Sequence, residues 1–289
     1  MDLRRRALVA LCETDPGRKA DAARALLVDA RAGLAVDIGG SWPCPPGLPG
    51  RPARPRLVDP AALPRRSPFT PAGRAALLHA VAHIEFNAIN LALDAVWRFA
   101  GMPETFYRDW TRVAAEEALH FTLLRDHLRT LGHDYGDFDA HDGLWAMAER
   151  TADDLVARMA LVPRTLEARG LDATPPMQDR LRRAGDLRAV EILDVILRDE
   201  VGHVAIGNRW YRWLCHREGL DPVGHDEALH RQFAAPRLQP PLNLEARRAA
   251  GFDEVELARM QAAPTAAPGD IGQPVRSGSA RRIPTGPRD

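Results

Sequence analysis

Two short stretches of the chain place an acid and an imidazole three residues apart inside apolar surroundings. In "AAEEALHFTLL" they are Glu117 and His120, and in "RDEVGHVAIG" they are Glu200 and His203. On an α-helix, positions three apart share a face. The stripe of Glu117 and His120 carries Trp110, Val113, Ala114, Phe121, Leu124 and Leu128; that of Glu200 and His203 carries Leu193, Ile196, Leu197, Val204 and Gly207. Both pairs therefore face a core. An unpaired buried charge costs several kcal/mol or neutralises itself, so two such pairs call for a common partner. A divalent metal pair supplies it, and mixed carboxylate and imidazole donors suit iron, manganese or zinc.

A site of this kind, built from four helices, takes one further glutamate from each of two other helices. Glu85 in "AHIEFNAINLALDA" lies on a stripe with Leu78, Val81, Ala82, Ala88, Ile89 and Ala92. Glu167 in "RMALVPRTLEARGLD" is the choice from the third helix in chain order, with Glu149, Asp153 and Asp154 as alternatives. Spacing favours Glu167: Glu85 and Glu117 are 32 residues apart, Glu167 and Glu200 are 33. Glu116 and Asp199 each precede one of the histidines by four residues, and metal-bound imidazoles commonly donate their second N–H to a carboxylate. Either acid could serve its own helix or the facing one.

The elements that must hold these residues are long helices. "TPAGRAALLHAVAHIEFNAINLALDAVWRFAG" begins with Thr70 as N-cap and Pro71 in the first turn and stops at Gly101. A second helix runs from Pro103 to Gly132, a third covers about 144–170 with a kink at Pro163, and a Pro-containing loop around 171–180 leads to a fourth over 181–218. The fold expected is all-α, a four-helix bundle. Residues 1–68 are read as N-terminal helix and Pro-rich strap, 69–220 as the bundle, 221–262 as a C-terminal strap with a short helix at "DEVELARMQ", and 263–289 as a disordered tail.

At these motifs the chain resembles the ferritin-like superfamily. More closely, "HIEFNAINLALDAVWRF", "EEALHFTLL", "MALVPRTLEARGLD" and "DEVGHVAIGNRWY" resemble the bacterial family called domain of unknown function 455, over most of residues 1–260. The resemblance implies a ferritin-like bundle in which Glu85, Glu117, His120, Glu167, Glu200 and His203 are the metal ligands. The cofactor expected is two iron ions, with manganese or a mixed manganese–iron pair as the alternative. The function expected is oxidation driven by dioxygen or peroxide on an unknown small-molecule or nucleoside-type substrate, fed by an electron donor. The competing expectation is a non-catalytic protein that binds or handles iron.

Composition narrows the partners. Basic and acidic residues number 39 each, so no global field favours nucleic acid or an anionic membrane. Three scattered cysteines, Cys12, Cys44 and Cys215, suit neither a disulfide framework nor a zinc ribbon. No run is read as reaching the roughly 18 apolar residues of a membrane span, and a cytoplasmic protein, open to oligomerisation, is expected. The aromatics near Trp97–Trp110 and Trp210–Trp213 are read as packing, with a substrate channel as the alternative; the loop histidines His133 and His141 are read as part of a solvated turn. There is no phosphate-binding glycine loop and no nucleophile elbow.

Overall fold

The computed structural model of the protein describes residues 1–64, 67–236, 238 and 240–262. It is all-α: among the described residues there is no strand, and one isolated parallel bridge joins Leu57 to Ala140. Two N-terminal helices, α1 (Leu3–Cys12) and α2 (Pro16–Arg31), precede an irregular strap interrupted by a 3₁₀ turn at Pro60–Ala62. Then come the antiparallel helices α3 (Pro71–Arg98) and α4 (Glu104–Thr130). The second half holds α5 (Gly143–Arg150), α6 (Leu155–Leu161), a π-helical turn (Val162–Glu167), α7 (Arg169–Arg183) and α8 (Leu187–Glu218). Three short helices follow: α9 (Pro222–Gln232), α10 (Leu244–Ala249) and α11 (Glu254–Ala262). Helix α3 packs on α4, α4 on α8, and α8 on α6, the π-turn and α7, while α1 and α2 cover the outer side of α3 and α4.

Thr70 caps α3 as its sequence position requires, Oγ1 accepting from the Gly73 N–H at 3.1 Å. The helix stops at Arg98, short of Gly101. Its last carbonyls are taken by the buried Arg4, which donates to Val96 O at 3.2 Å and to Trp97 O at 2.8 Å. The single lysine of the chain is equally enclosed. Lys19 donates to Leu11 O (3.0 Å), Gly50 O (2.6 Å) and Asn90 Oδ1 (2.5 Å), which ties α1, the strap and α3 together. Burial pulls its ammonium down to about 7. Gly50 is required there, because a Cβ would lie 2.1 Å from Cys12 O.

The expected third helix over 144–170 is not continuous. Asp154 caps a new helix by accepting from the Ala157 N–H at 2.8 Å, which separates α5 from α6. The kink at Pro163 takes the form of the π-turn. Proline lacks the N–H that would reach back one turn and its ring crowds the carbonyl there, so the chain widens by one residue. Ala168 N–H bonds to Pro163 O at 3.1 Å, and Thr165 Oγ1 donates to Ala160 O at 2.9 Å. The expected loop at 171–180 is helical, with Pro175 and Pro176 inside α7. The Leu171 carbonyl, deprived of a donor by Pro175, accepts instead from Asn243 Nδ2 at 3.2 Å. A tertiary bond thus replaces the missing helical one. The fourth long helix accordingly starts at Leu187 and not near 181. "DEVELARMQ" is helical as expected, but the rest of 221–262 holds two more helices than anticipated. The tail over 263–289 lies outside the described residues.

Helix α3 has the length and composition of a membrane span, contrary to the reading of the sequence, yet 78% of that window is buried inside the protein. It is a core helix, and it carries Glu85 and Asp94 within the core.

The π-turn is seated against α8 at a glycine. A Cβ on Gly207 would lie 2.6 Å from Pro163 Cβ and 2.7 Å from its Cγ. Gly207→Ala is therefore expected to lower stability by about 1–3 kcal/mol, the usual cost of overpacking. Urea denaturation of the two proteins checks this, and an unchanged midpoint would show that the π-turn yields freely.

Candidate metal centre

Glu85 projects from α3, Glu117 and His120 from α4, Glu167 from the end of the π-turn, and Glu200 and His203 from α8; all six are buried. Glu85, Glu117, His120 and Glu200 each bring one ligand atom to within 4.8 Å of all the others. His203 adjoins this group, with Nδ1 2.9 Å from Glu117 Oε1 and 3.9 Å from Glu200 Oε1. Glu167 stands beyond the four-residue group, but the charges of Glu117, His203 and Glu85 all act on its carboxyl.

Both imidazoles turn Nδ1 inward. His120 Nδ1 lies 3.2 Å from Glu85 Oε2 and 3.2 Å from Glu117 Oε2. The outer nitrogens are held by acids from the opposite helix. His120 Nε2 meets Asp199 Oδ2 at 3.1 Å, and His203 Nε2 meets Glu116 Oε2 at 2.8 Å. Each acid sits one turn before one histidine and serves the other. That exchange locks α4 to α8 and aims both Nδ1 atoms into the interior, where each can act as a ligand once it gives up its proton.

Four buried atoms around this centre have no hydrogen-bond partner among the described residues: Glu117 Oε1, Glu167 Oε2, Glu200 Oε2 and His203 Nδ1. Glu117 Oε1 and His203 Nδ1 are close, but their geometry is not that of a hydrogen bond. Buried polar atoms are nearly always paired, so this cluster could hold a metal ion.

The electrostatics follow from crowding. Burial and the neighbouring Glu117 charge push the carboxyls of Glu85 and Glu167 up to about 8, and the same two causes raise Glu200. Burial would raise Glu117 too, but His203 and His120 outweigh it and hold Glu117 well below the usual carboxylate range. Burial opposes charge on the two imidazoles, yet Asp199 and Glu117 around His120, and Glu117 and Glu116 around His203, raise both well above normal.

This has a measurable consequence for the metal-free protein. An unfolded glutamate titrates near 4.3, so the folded state holds protons on Glu85 and Glu167 more tightly than the unfolded state does. Their contribution is complete at low pH and is lost as pH rises through about 8. The raised Glu200, His120 and His203 act in the same direction; the lowered Glu117 opposes them in the acid range, and the lowered His79, His83 and Lys19 oppose them more weakly within the window. The melting temperature of the metal-free protein is expected to fall between pH 5 and 8.5. Glu85→Gln with Glu167→Gln should flatten that slope, and a slope unaltered by the double change would refute the assignment.

The alternative acids and several other polar residues are engaged elsewhere. Glu149 accepts from Trp145 Nε1 at 2.9 Å, Asp154 caps α6, and Asp153 is exposed. His79 and His83 are buried against the loop after α4: His79 Nε2 accepts from Gly136 N–H at 2.9 Å, and His83 Nδ1 is 2.9 Å from Tyr135 Oη. Of the loop acids, Asp134, Asp139 and Asp142 meet arginines, as in the two-pronged Arg51–Asp142 pair at 2.8 and 2.6 Å. Tyr107 Oη donates to Phe99 O at 2.9 Å and Tyr211 Oη to Pro222 O at 2.7 Å. Sequence reasoning missed the clasp between Asp94 and Arg158, both buried, at 2.5 Å; an aspartate within so apolar a helix as α3 was its signal.

Fold and site together define an all-α protein with a buried glutamate–histidine cluster able to hold a metal ion. Residues 12–258 match the family described as "Protein of unknown function (DUF455)", and the chain belongs to that family. An "Uncharacterized protein" of Haemophilus influenzae (strain ATCC 51907 / DSM 11121 / KW20 / Rd) is 53% identical over 213 residues, covering 71% of this chain and 74% of the relative. No solved structure matches.

Proposed function

We propose that this chain is a ferritin-like di-metal carboxylate oxidoreductase that holds two iron ions and uses dioxygen or peroxide to oxidise a small organic substrate. The observation that carries this reading is the meeting of ligand atoms of Glu85, Glu117, His120 and Glu200 within 4.8 Å of one another, with four unpartnered buried polar atoms on Glu117, Glu167, Glu200 and His203. A buried Glu/His network without a cation would leave these atoms unsatisfied, and buried ion pairs alone add little stability over apolar packing.

Glu85, Glu117, His120, Glu167, Glu200 and His203 would hold the ions. The two oxygens of Glu117 face different imidazoles, Oε2 toward His120 (3.2 Å) and Oε1 toward His203 (2.9 Å), so Glu117 would help hold the metal beside both histidines. His120 and His203 would then serve one ion each, and Asp199 and Glu116 keep their Nδ1 atoms aimed inward. The iron pair supplies the redox equivalents and the activation of dioxygen or peroxide. The protein fixes the ligand atoms, excludes water and releases protons from Glu85, Glu167, Glu200 and the Nδ1 atoms of His120 and His203 as the ions enter.

The test is metal content of protein purified without chelator, for the native chain and for Glu200→Ala with His203→Ala, followed by oxygen and peroxide consumption under a reductant. About two irons per chain, lost in the double variant, together with turnover, supports the proposal. Two irons without turnover favours a non-catalytic iron-handling protein. No transition metal bound after anaerobic ferrous iron is offered overturns the metal reading altogether.

A further inference from the structure

Four aromatic rings run from the candidate centre to the protein surface. Trp110 lies on α4 on the same face as Glu117, seven residues or about 10 Å of helix rise away. It is buried, and its ring is 6.3 Å from Phe106. Phe106 is 5.2 Å from Trp210 on α8, and Trp210 is 5.6 Å from Trp213. Trp213 is 37% exposed, the one ring of the four that reaches solvent, and Arg217 lies over it at 5.1 Å.

The two buried indoles differ in one respect that sets a direction. Trp110 Nε1 has no partner among the described residues. Trp210 Nε1 donates to Asp109 Oδ2 at 2.9 Å. An oxidised indole is acidic at its N–H, so Trp210 can release its proton to a carboxylate already in place, whereas Trp110 cannot. Oxidation of Trp110 therefore passes outward to Trp210, where loss of the proton makes it persist. Arg209 pairs with the same Asp109 oxygen and fixes it against the Trp210 N–H.

We propose that Trp110, Phe106, Trp210 and Trp213 form a one-electron relay between the candidate metal centre and the surface, with Asp109 as its proton acceptor. The relay rests on the oxidoreductase reading for its inner end. Trp110 gives one electron to the oxidised centre. Trp210 refills Trp110 across Phe106, which stays unoxidised as a packed bridge, and the Trp210 indole proton moves to Asp109. Trp213 refills Trp210, which takes its proton back. An external one-electron reductant of the ascorbate class refills Trp213 and is itself oxidised by one electron. The net transfer is one electron from reductant to centre, with every indole restored. Hydroxylation with dioxygen consumes two electrons and two protons beyond the substrate's own, so two passages along the relay complete one cycle.

The test has two arms. In the first, metal-free protein is photo-oxidised by flash-quenched tris(bipyridine)ruthenium, and tryptophan radicals are followed by transient absorption. The relay requires a deprotonated radical in the parent. Trp213→Phe should reduce its yield several-fold, and in Asp109→Asn the radical should remain protonated and decay faster. In the second arm, iron-loaded protein is treated with hydrogen peroxide, and the decay of its tryptophan radical with ascorbate is followed by electron paramagnetic resonance. Trp210→Phe should slow that decay by an order of magnitude with bound iron unchanged. Radical yields and decays indistinguishable from the parent in all three variants would overturn the relay even where iron binds. A chain that binds no iron would overturn the oxidoreductase reading and with it the inner end, while the photochemical arm still decides whether Trp213 and Trp210 exchange electrons.

Discussion

Glu117→Gln is expected to weaken metal binding by well over a hundredfold while leaving the helical fold intact. Changing a group that merely orients a ligand already costs about 10–100-fold, and Glu117 stands at the centre of the cluster. One of its oxygens faces His120 and the other His203. Its charge also contributes to the raised carboxyls of Glu85, Glu167 and Glu200. An amide keeps the shape but removes the anion that compensates both imidazoles and any ion between them. Without metal, the loss of charge-assisted contacts should cost about 1.5–3 kcal/mol. The raised histidines should also drop toward their normal range, which nuclear magnetic resonance titration of the imidazoles would register. Metal analysis of the variant gives the primary outcome. Two irons retained at parental affinity would remove Glu117 from the ligand set and break the symmetry on which the reading of the centre depends.

Much of this centre is legible in the sequence because helical periodicity is local. Glu117, His120, Glu200 and His203 can be assigned to inward faces from neighbours within two turns, and Glu85 likewise. Glu167 is harder, because its helix is interrupted: Pro163 shifts the register by opening a π-turn, so a stripe counted at 3.6 residues per turn mixes Arg164 into the face of Glu167. The partners of the two histidines are not legible at all. Glu116 and Asp199 both lie one turn from an imidazole on their own helix, and only the crossing of α4 and α8 decides that each serves the other. The helical course of 171–180 was hidden for a similar reason. Pro175 argues for a loop until Asn243, 72 residues beyond Leu171, is seen to satisfy the Leu171 carbonyl that the proline orphans.

The same contrast between local and distant information governs the clasp at Asp94. This carboxylate is buried on α3 nine residues after Glu85, and it pairs with Arg158, which lies nine residues before Glu167. Arg158 Nη1 reaches Asp94 Oδ2 at 2.5 Å, Nε donates to Thr151 Oγ1 at 2.8 Å, and Nη2 donates to Ala148 O. Burial draws its guanidinium below the usual range even beside Asp94. Arg98 bonds the same carboxylate at 2.7 Å but is partly exposed and can turn to water. Asp94→Leu is therefore expected to destabilise the protein by about 3–5 kcal/mol, because it strands a buried cation. Adding Arg158→Met should recover most of that loss, since an apolar pair of similar volume commonly equals or exceeds a buried ion pair. Urea denaturation of the single and double variants measures the difference, and strictly additive losses would refute the clasp. Metal binding separates stability from positioning. The clasp fixes α6, and through it the π-turn that carries Glu167, so the restored double variant should still bind metal more weakly than the parent. Full affinity in that variant would mean that α8, packed against the π-turn where Gly207 meets Pro163, positions Glu167 without help from Asp94.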